Sequence, residues 1–263
     1  MTTVSDILKY IETIAPPYMK ENWDNVGLLC GSRSTSVTKV LVALDPFEHV
    51  CQEAADWGAE LIVTHHPIIF QAMKSITDET SIGRGILLLC RHGISAINAH
   101  TNLDCTPGGV NDVLAGKLGL ENIQVISPAG IHSDGIPYGL LRCGEVTEQP
   151  LETFLSTVKA ALGCEGLRYV AGSKPVRKVA VGGGSCAGEM REALEAGCDT
   201  FVTADVKYNQ FWDAHDLGLN LVDAGHFHTE NPTMPVLAEK LQAAFPQIEV
   251  KISENHTDCM KFY

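Results

Sequence analysis

Residues 61–67 of the chain read LIVTHHP, an apolar and partly β-branched run that ends in two adjacent histidines. Such a run, stopped by Pro67, predicts a buried strand. Successive side chains of a strand point to opposite faces, so His65 and His66 are not both expected to be merely solvated. Packing gives little reason for two imidazoles at the mouth of a buried strand. The stretch therefore suggests metal ligands at a strand end.

Strand and helix patterns alternate on both sides of this strand. Residues 40–45 predict a strand, residues 46–57 a helix, residues 82–92 a second helix, and residues 94–100 a strand that again ends in a histidine, His100. Strand–helix–strand units of this length give parallel strands. The predicted fold class is α/β, with two α/β lobes of mixed, largely parallel sheets. The metal site is expected at the C-terminal ends of strands, between the lobes.

A stretch rich in turn-forming residues, at residues 127–135, predicts the boundary between the lobes. The first lobe would then span residues 1–126, and the C-terminal segment 246–263 could join it. The second lobe would span residues 127–245. It repeats the alternation of strands and helices without a convincing sequence repeat of the first.

The composition limits the classes of function. The 263 residues include 19 Lys and Arg against 32 Asp and Glu, a net charge of −13. Duplex nucleic acid is therefore not an expected partner, whereas a small anionic substrate at a local site remains compatible. The nine cysteines are scattered, as in a reducing cytosol rather than a disulfide framework. No secretory signal or long apolar run is present, so we expect a cytoplasmic protein without a membrane segment.

Three predicted strands end in residues that bind metals. The first ends in His65 and His66, and the second ends in His100, with Asp104 four residues later. A third strand, residues 219–224, precedes the last group, His226, His228 and Glu230. In open α/β sheets, sites gather outside the carboxyl ends of the strands. The remaining histidines are interpreted as ordinary ones: His49, His92, His132, His215 and His256.

Several of these residues also have structural interpretations. His100 is as well explained by a hydrogen bond that supports a ligand as by ligation itself. His228 is better explained as solvent-facing or as a supporting residue. Asp104 could cap the turn that leads to Pro107, and Glu230 could complement the dipole of the following helix.

A ligand set of imidazole and carboxylate, without thiolate, suits zinc, iron or manganese. One catalytic zinc needs only three protein ligands, so a larger set favours two divalent metal ions. A water bridging them would lose a proton near neutral pH and act as the nucleophile.

A glycine-rich turn, residues 182–185, lies between a predicted strand and a predicted helix. It could offer backbone N–H groups to an anion, but a simple tight turn is the favoured interpretation. Asp45 and Asp205 also end predicted strands, and either could orient a substrate or a ligand.

Four ordered motifs carry a resemblance over almost the whole chain: WDNVGL at 23–28, THHP at 64–67, HTNLD at 100–104, and Gly225-His226 followed by Glu230. The chain resembles the NIF-three-like family, whose members often bear the name GTP cyclohydrolase I type 2 homologue. The resemblance implies a dinuclear metal site and a toroidal homohexamer, without the inserted domain of longer members. His228 is not part of the matched pattern. The implied ligands are His65, His66, Asp104, His226 and Glu230, with His100 beside the site.

The resemblance also implies a metal-dependent hydrolase acting on a nucleotide-like small molecule, with GTP as the named candidate. Opening of a guanine ring would need attack at C8 and a proton donor, for which His100 and His228 are the candidates. No nucleobase pocket can be identified from the sequence. The alternatives are a non-catalytic regulatory or interaction protein that binds metal, and a metal-trafficking protein.

Overall fold

The computed structural model describes residues 1–263 and divides into two compact units. One comprises Met1–Leu103 with Met234–Thr257, and the other comprises Asp104–Thr233 with Asp258–Tyr263. Both are α/β with mixed sheets, in which parallel strand pairs predominate in the first unit, and this confirms the predicted fold class. The lobe boundary at residues 126/127 stays a prediction. In the structure, the strand that ends at Ile126 belongs to the sheet of the second unit, and residues 130–138 form a small hairpin.

Ten α-helices and thirteen strands make up the chain. The strands are β1 (Gly27–Cys30), β2 (Lys39–Ala43), β3 (Leu61–Thr64), β4 (Ser95–Asn98), β5 (Glu121–Ile126), β6 (Gly130–Ile131), β7 (Pro137–Tyr138), β8 (Leu141–Gln149), β9 (Arg168–Val170), β10 (Val176–Val181), β11 (Thr200–Thr203), β12 (Asn220–Asp223) and β13 (Glu249–Ile252). The helices are α1 (Val4–Ile14), α2 (Glu48–Trp57), α3 (Ser81–His92), α4 (Thr101–Cys105), α5 (Val110–Lys117), α6 (Leu151–Leu162), α7 (Met190–Glu195), α8 (Tyr208–Leu217), α9 (His226–Glu230) and α10 (Thr233–Ala244).

The sheet of the first unit has the strand order β1–β4–β3–β2–β13. Only β1 runs antiparallel to its neighbour, so β2, β3, β4 and β13 all end at the same edge. Every residue of β3 is buried, as its apolar run predicts. Helices α2 and α3 cover one face of this sheet, where Val50 and Ile86 pack against strand residues such as Leu41 and Ile62.

The sheet of the second unit has the order β5–β8–β10–β11–β12–β9, with parallel pairing among β10, β11 and β12. Alternation along the strands directs side chains to two cores. Val179 and Val181 pack with Phe154 of α6, and the intervening Ala180 packs with Met190 of α7 on the opposite face. The sheet is therefore covered by helices on both sides.

Local capping explains where several helices begin and end. The hydroxyl of Thr80 accepts the Gly83 N–H at the start of α3, and Gly93 ends that helix with φ +67°. Helix α1 begins at Val4, where Thr3 and Asp6 form a reciprocal capping box. The longest helices have 12 residues, and none combines the length and hydrophobicity that crossing a membrane requires.

Candidate metal centre

The two histidines of the THHP motif follow β3 directly. The His65 side chain is fully buried, and its Nδ1 lies 2.9 Å from the carbonyl oxygen of Ala99. The His66 ring lies 4.9 Å from that of His65, and its Nδ1 is 2.7 Å from Oδ1 of Asp45. The predicted strand thus delivers two imidazoles to one point, each fixed by an oxygen acceptor.

His100 joins this pair from the neighbouring parallel strand. It lies just beyond β4, with its ring 5.1 Å from that of His65 and 5.4 Å from that of His66. Ligand atoms of the three histidines lie within 4.8 Å of one another, so these residues could hold a metal ion. The predicted convergence of strand ends is therefore present within the first unit.

Asp24 holds His100 in place. Its Oδ1 lies 2.8 Å from His100 Nδ1, and Oδ2 accepts hydrogen bonds from the backbone and hydroxyl of Thr101. Burial alone would raise the pKa of Asp24, but the bonds from His100 and Thr101 outweigh it and lower the pKa to about 2. The carboxylate therefore stays charged and fixes the orientation of the imidazole.

Asp45 serves two histidines at once. Besides His66, it contacts Nε2 of His256 through Oδ2 at 2.9 Å. Burial would raise the pKa of Asp45, but the bonds from His256 and His66 hold it well below its usual range. The interpretation of His256 as an ordinary histidine was wrong, because the C-terminal segment returns to contact this carboxylate.

In the second unit, His226 and Glu230 lie one helical turn apart. They follow the predicted strand, and they open and close the short helix α9, which places His226 Nε2 3.0 Å from Glu230 Oε2. His226 Nδ1 is 2.7 Å from Oδ2 of Asp205. Asp205 has φ +52°, an uncommon backbone conformation for a residue with a side chain. Asp45 and Asp205 thus both orient a candidate ligand.

The glycine-rich turn packs against this pair. A Cβ atom at Gly184 would lie 2.1 Å from Oε1 of Glu230 and 3.1 Å from Nε2 of His226. The Gly183 N–H donates to Asn111, and the Gly184 N–H donates to the hydroxyl of Thr229. These N–H groups are engaged within the protein, which supports the tight-turn interpretation over anion binding.

Asp104 lies on α4 and is buried. The Asn111 amide donates to the carbonyl oxygens of Asp104 and Leu140 at 3.3 and 2.6 Å. The buried Arg142 donates to the carbonyl oxygens of Cys105 and Thr106. Asn111 therefore ties the backbone of Asp104 to the turn that packs against Glu230.

His228 is directed elsewhere. Its Nδ1 lies 3.2 Å from the carbonyl oxygen of Leu162, and its Nε2 lies 3.3 Å from Oδ2 of Asp258. It is half-buried, in agreement with a supporting role rather than ligation.

The donors present suit a divalent metal ion. They are imidazole nitrogens and carboxylate oxygens, the set expected for zinc, iron or manganese. In each of His65, His66, His100 and His226, Nδ1 faces an oxygen acceptor, an arrangement typical of histidines that bind a metal through Nε2. Sequence reasoning singled out the turn at Gly184 without its contact to Glu230, and it missed Asp24, Asn111 and His256. Only Asp24 had a signal, as the second residue of the WDNVGL motif.

Known proteins resemble this chain along its full length. Residues 2–259 match the profile of the family Duf34/NIF3 (NGG1p interacting factor 3). Two relatives called GTP cyclohydrolase 1 type 2 homolog are 36% identical in Clostridium perfringens and 31% identical in Lactococcus lactis, over 98% and 99% of this chain and 99% and 98% of theirs.

Solved structures of other proteins also resemble this chain along its length. The crystal structure of a Staphylococcus aureus hypothetical protein matches with 31% identity and TM-score 0.92, covering 99% of both chains. A Bacillus cereus protein related to NIF3 matches with 26% identity and TM-score 0.94, over 100% of this chain and 99% of the other. The chain belongs to the Duf34/NIF3 family.

Proposed function

We propose that this protein is a metal-dependent hydrolase of a nucleotide-like small molecule. We further propose that it binds two divalent metal ions, zinc, iron or manganese, through one ligand set: His65, His66, Asp104, His226 and Glu230. When bound, such ions supply Lewis acidity and make water a better nucleophile near neutral pH.

One observation carries the proposal. Four histidines, two of them directly after β3, present the same nitrogen because a carbonyl or carboxylate oxygen faces the other one. An acceptor on Nδ1 fixes the tautomer, orients the ring and raises the basicity of Nε2.

The oxygen acceptors that face Nδ1 differ in charge, and we use this difference to assign a role to each histidine. Asp45 and Asp205 make His66 and His226 stronger donors to a metal, whereas the neutral Ala99 carbonyl does less for His65. Asp24 does the same for His100. We assign proton delivery during ring opening to His100 Nε2, because both nitrogens of His228 are engaged by Leu162 and Asp258.

The substrate class rests on similarity. Relatives called GTP cyclohydrolase 1 type 2 homolog make GTP the first substrate to test. We also propose a homohexamer, which native mass spectrometry would distinguish from a monomer or dimer.

The decisive experiment measures metal and turnover together. The protein, purified without added metal, is analysed by elemental mass spectrometry and then assayed with GTP and a panel of nucleotides. We expect two ions per chain, metal-dependent turnover, and loss of both in His65→Ala and His226→Ala. His228→Ala is the matched control, because it removes an imidazole from the same helix and should retain the metal.

Two outcomes would contradict the proposal in different ways. One ion or fewer per chain, with added metal in excess, would exclude the dinuclear centre. A fully loaded protein that leaves every nucleotide unchanged would exclude the hydrolase and favour a metal-binding regulatory protein.

A further inference from the structure

Two large aromatic side chains stand exposed beside the histidines of the first unit. Trp23 is 61% exposed and Phe70 is 51% exposed. Both rings lie next to the ring of His100, with centroid distances of 6.0 and 6.1 Å. Exposed rings of this size usually serve recognition when they adjoin a polar site.

The backbone that carries Trp23 is fixed. The Glu21 N–H donates to the hydroxyl of Thr101, and the Asp24 carboxylate accepts two further bonds from the same residue. The Asp24 N–H closes a turn onto the carbonyl oxygen of Glu21. Trp23 is therefore held at the surface by its neighbours.

Phe70 is anchored to the same segment. The Asn25 amide donates to the carbonyl oxygen of Ile69 at 2.7 Å, and Ile68 is buried in the core. The two rings meet edge to face, with centroids 5.7 Å apart and planes at 61°. An edge-to-face pair leaves ring faces open, and a planar ligand can stack on them.

The local charges disfavour a phosphate at this point. The cation of the segment, Lys20, donates to the carbonyl oxygens of Glu21 and Asp24. Because backbone carbonyl oxygens engage the Lys20 ammonium, it does not form a cationic pocket beside Trp23. The surface around Trp23 is aromatic, and stacking is the interaction that it supports.

We propose that Trp23 and Phe70 bind the planar heterocyclic ring of the substrate, a purine in particular. The proposal rests on the proposed function for the reaction site, and it adds the surface that recognises the ring. Every nucleobase has a π-face, so such a pair would accept several bases and leave selection between them to other groups. A substrate ring stacked here lies beside His100, the group assigned to proton delivery.

The test uses the metal-loaded protein with guanosine as the probe and ribose as the non-aromatic control. Binding is followed by tryptophan fluorescence and by calorimetry. We expect guanosine to quench the fluorescence and ribose to leave it unchanged. Trp23→Leu should weaken guanosine binding on the order of tenfold, because one base–aromatic stack is lost. Phe70→Leu should weaken it less.

Trp212→Leu is the matched control. Trp212 is 54% exposed in the second unit, its ring lies next to that of His215, and its removal should not change guanosine binding. Metal content is measured in every variant, and all three should keep the wild-type value. Metal loss in Trp23→Leu would show that the residue supports the centre, and this would contradict the proposal.

The measurements distinguish a failure of the proposed purine binding from a failure of the proposed metal centre. If the wild-type protein carries its metal but guanosine neither quenches nor binds, the aromatic surface has another occupant. A change of oligomeric state in Trp23→Leu without a change in guanosine binding would identify that occupant as a second copy of the chain. Equal guanosine affinity in Trp23→Leu and the wild type would also overturn the proposal.

Discussion

The candidate imidazole ligands of the first unit and the candidate carboxylate ligands of the second are held by different means. In the first unit, His65 and His66 follow a buried strand, and each Nδ1 meets an oxygen acceptor. In the second unit, Asp104 and Glu230 are carboxylates on five-residue helices, and the backbone of Gly184 packs tightly against Glu230. The positions of the imidazole ligands depend on oxygen acceptors that orient the rings. The positions of the carboxylate ligands depend on the space that the packed backbone leaves them.

This difference predicts different sensitivities. Removing the charge of an acceptor should weaken a histidine ligand while leaving the fold intact. Adding a single carbon beside a carboxylate should displace the ligand itself, because close-packed interiors tolerate little extra volume. Each half of the ligand set can therefore be disturbed by its own kind of substitution.

The largest effect is expected for Gly184→Ala. Its Cβ would fall 2.1 Å from Oε1 of Glu230, so the carboxylate must move, and metal affinity should fall on the order of a hundredfold. Gly163→Ala is the control, because Gly163 has a similar φ of +66° but open space around its Cβ position. Both variants should lose about 1–2 kcal/mol of stability from the left-handed backbone.

Metal titrations by calorimetry and chemical denaturation of both variants would measure these quantities. If Gly184→Ala binds metal as well as Gly163→Ala does, the turn does not define the position of Glu230. The positions of the carboxylate ligands would then depend, like those of the imidazole ligands, on the contacts that they make and not on the space around them.

A smaller effect is expected for Asp45→Asn. The amide keeps an oxygen near His66 Nδ1 but removes the charge, so metal affinity should fall roughly tenfold with little change in stability. Competition with a chromogenic chelator measures the change. Asp216→Asn is the control, since that carboxylate is 80% exposed. Unchanged affinity in Asp45→Asn would show that the orientation of His66, and not the charge of its partner, matters.

The smallest effect concerns acid stability of the metal-free protein. The folded pKa of Asp24 is about 2, below its ordinary value of 3.8. Its stabilisation is therefore complete above pH 3.8 and is lost as the pH falls toward 2, amounting to about 2 kcal/mol. Asp24→Asn should be less stable than the wild type at pH 6, and the difference should shrink at pH 2.5. Urea denaturation at the two pH values tests this, and a constant difference would contradict the charged contact with His100.

The local parts of this architecture follow from sequence patterns. The apolar run before His65 and the one before His100 predict buried parallel strands, which place both histidines at one edge of a sheet. Gly93 predicts the end of α3 because its left-handed conformation disfavours a side chain. Periodicity and turn chemistry act over a few residues, so they can be interpreted without the fold.

Long-range partners do not follow in the same way. Asp24 meets His100 and Asp45 meets His256 across large sequence separations, and no local pattern links the members of either pair. The helices at Asp104 and Glu230 were missed because five-residue helices are too short for a periodic pattern. The sequence favours a tight turn at Gly184 over an anion loop, but it does not reveal that the side chains of Asn111 and Thr229 take the N–H groups of this turn.

The contact between Asp45 and His256 has a consequence for synthesis of the protein. During translation, His66 emerges from the ribosome long before His256 and before β13, which pairs with β2. The carboxylate that orients His66 thus lacks its second histidine until almost the whole chain has been made. If His66 binds metal as proposed, a nascent chain would hold the ion less firmly than the finished protein, and loading of the centre would be one of the last steps of its maturation.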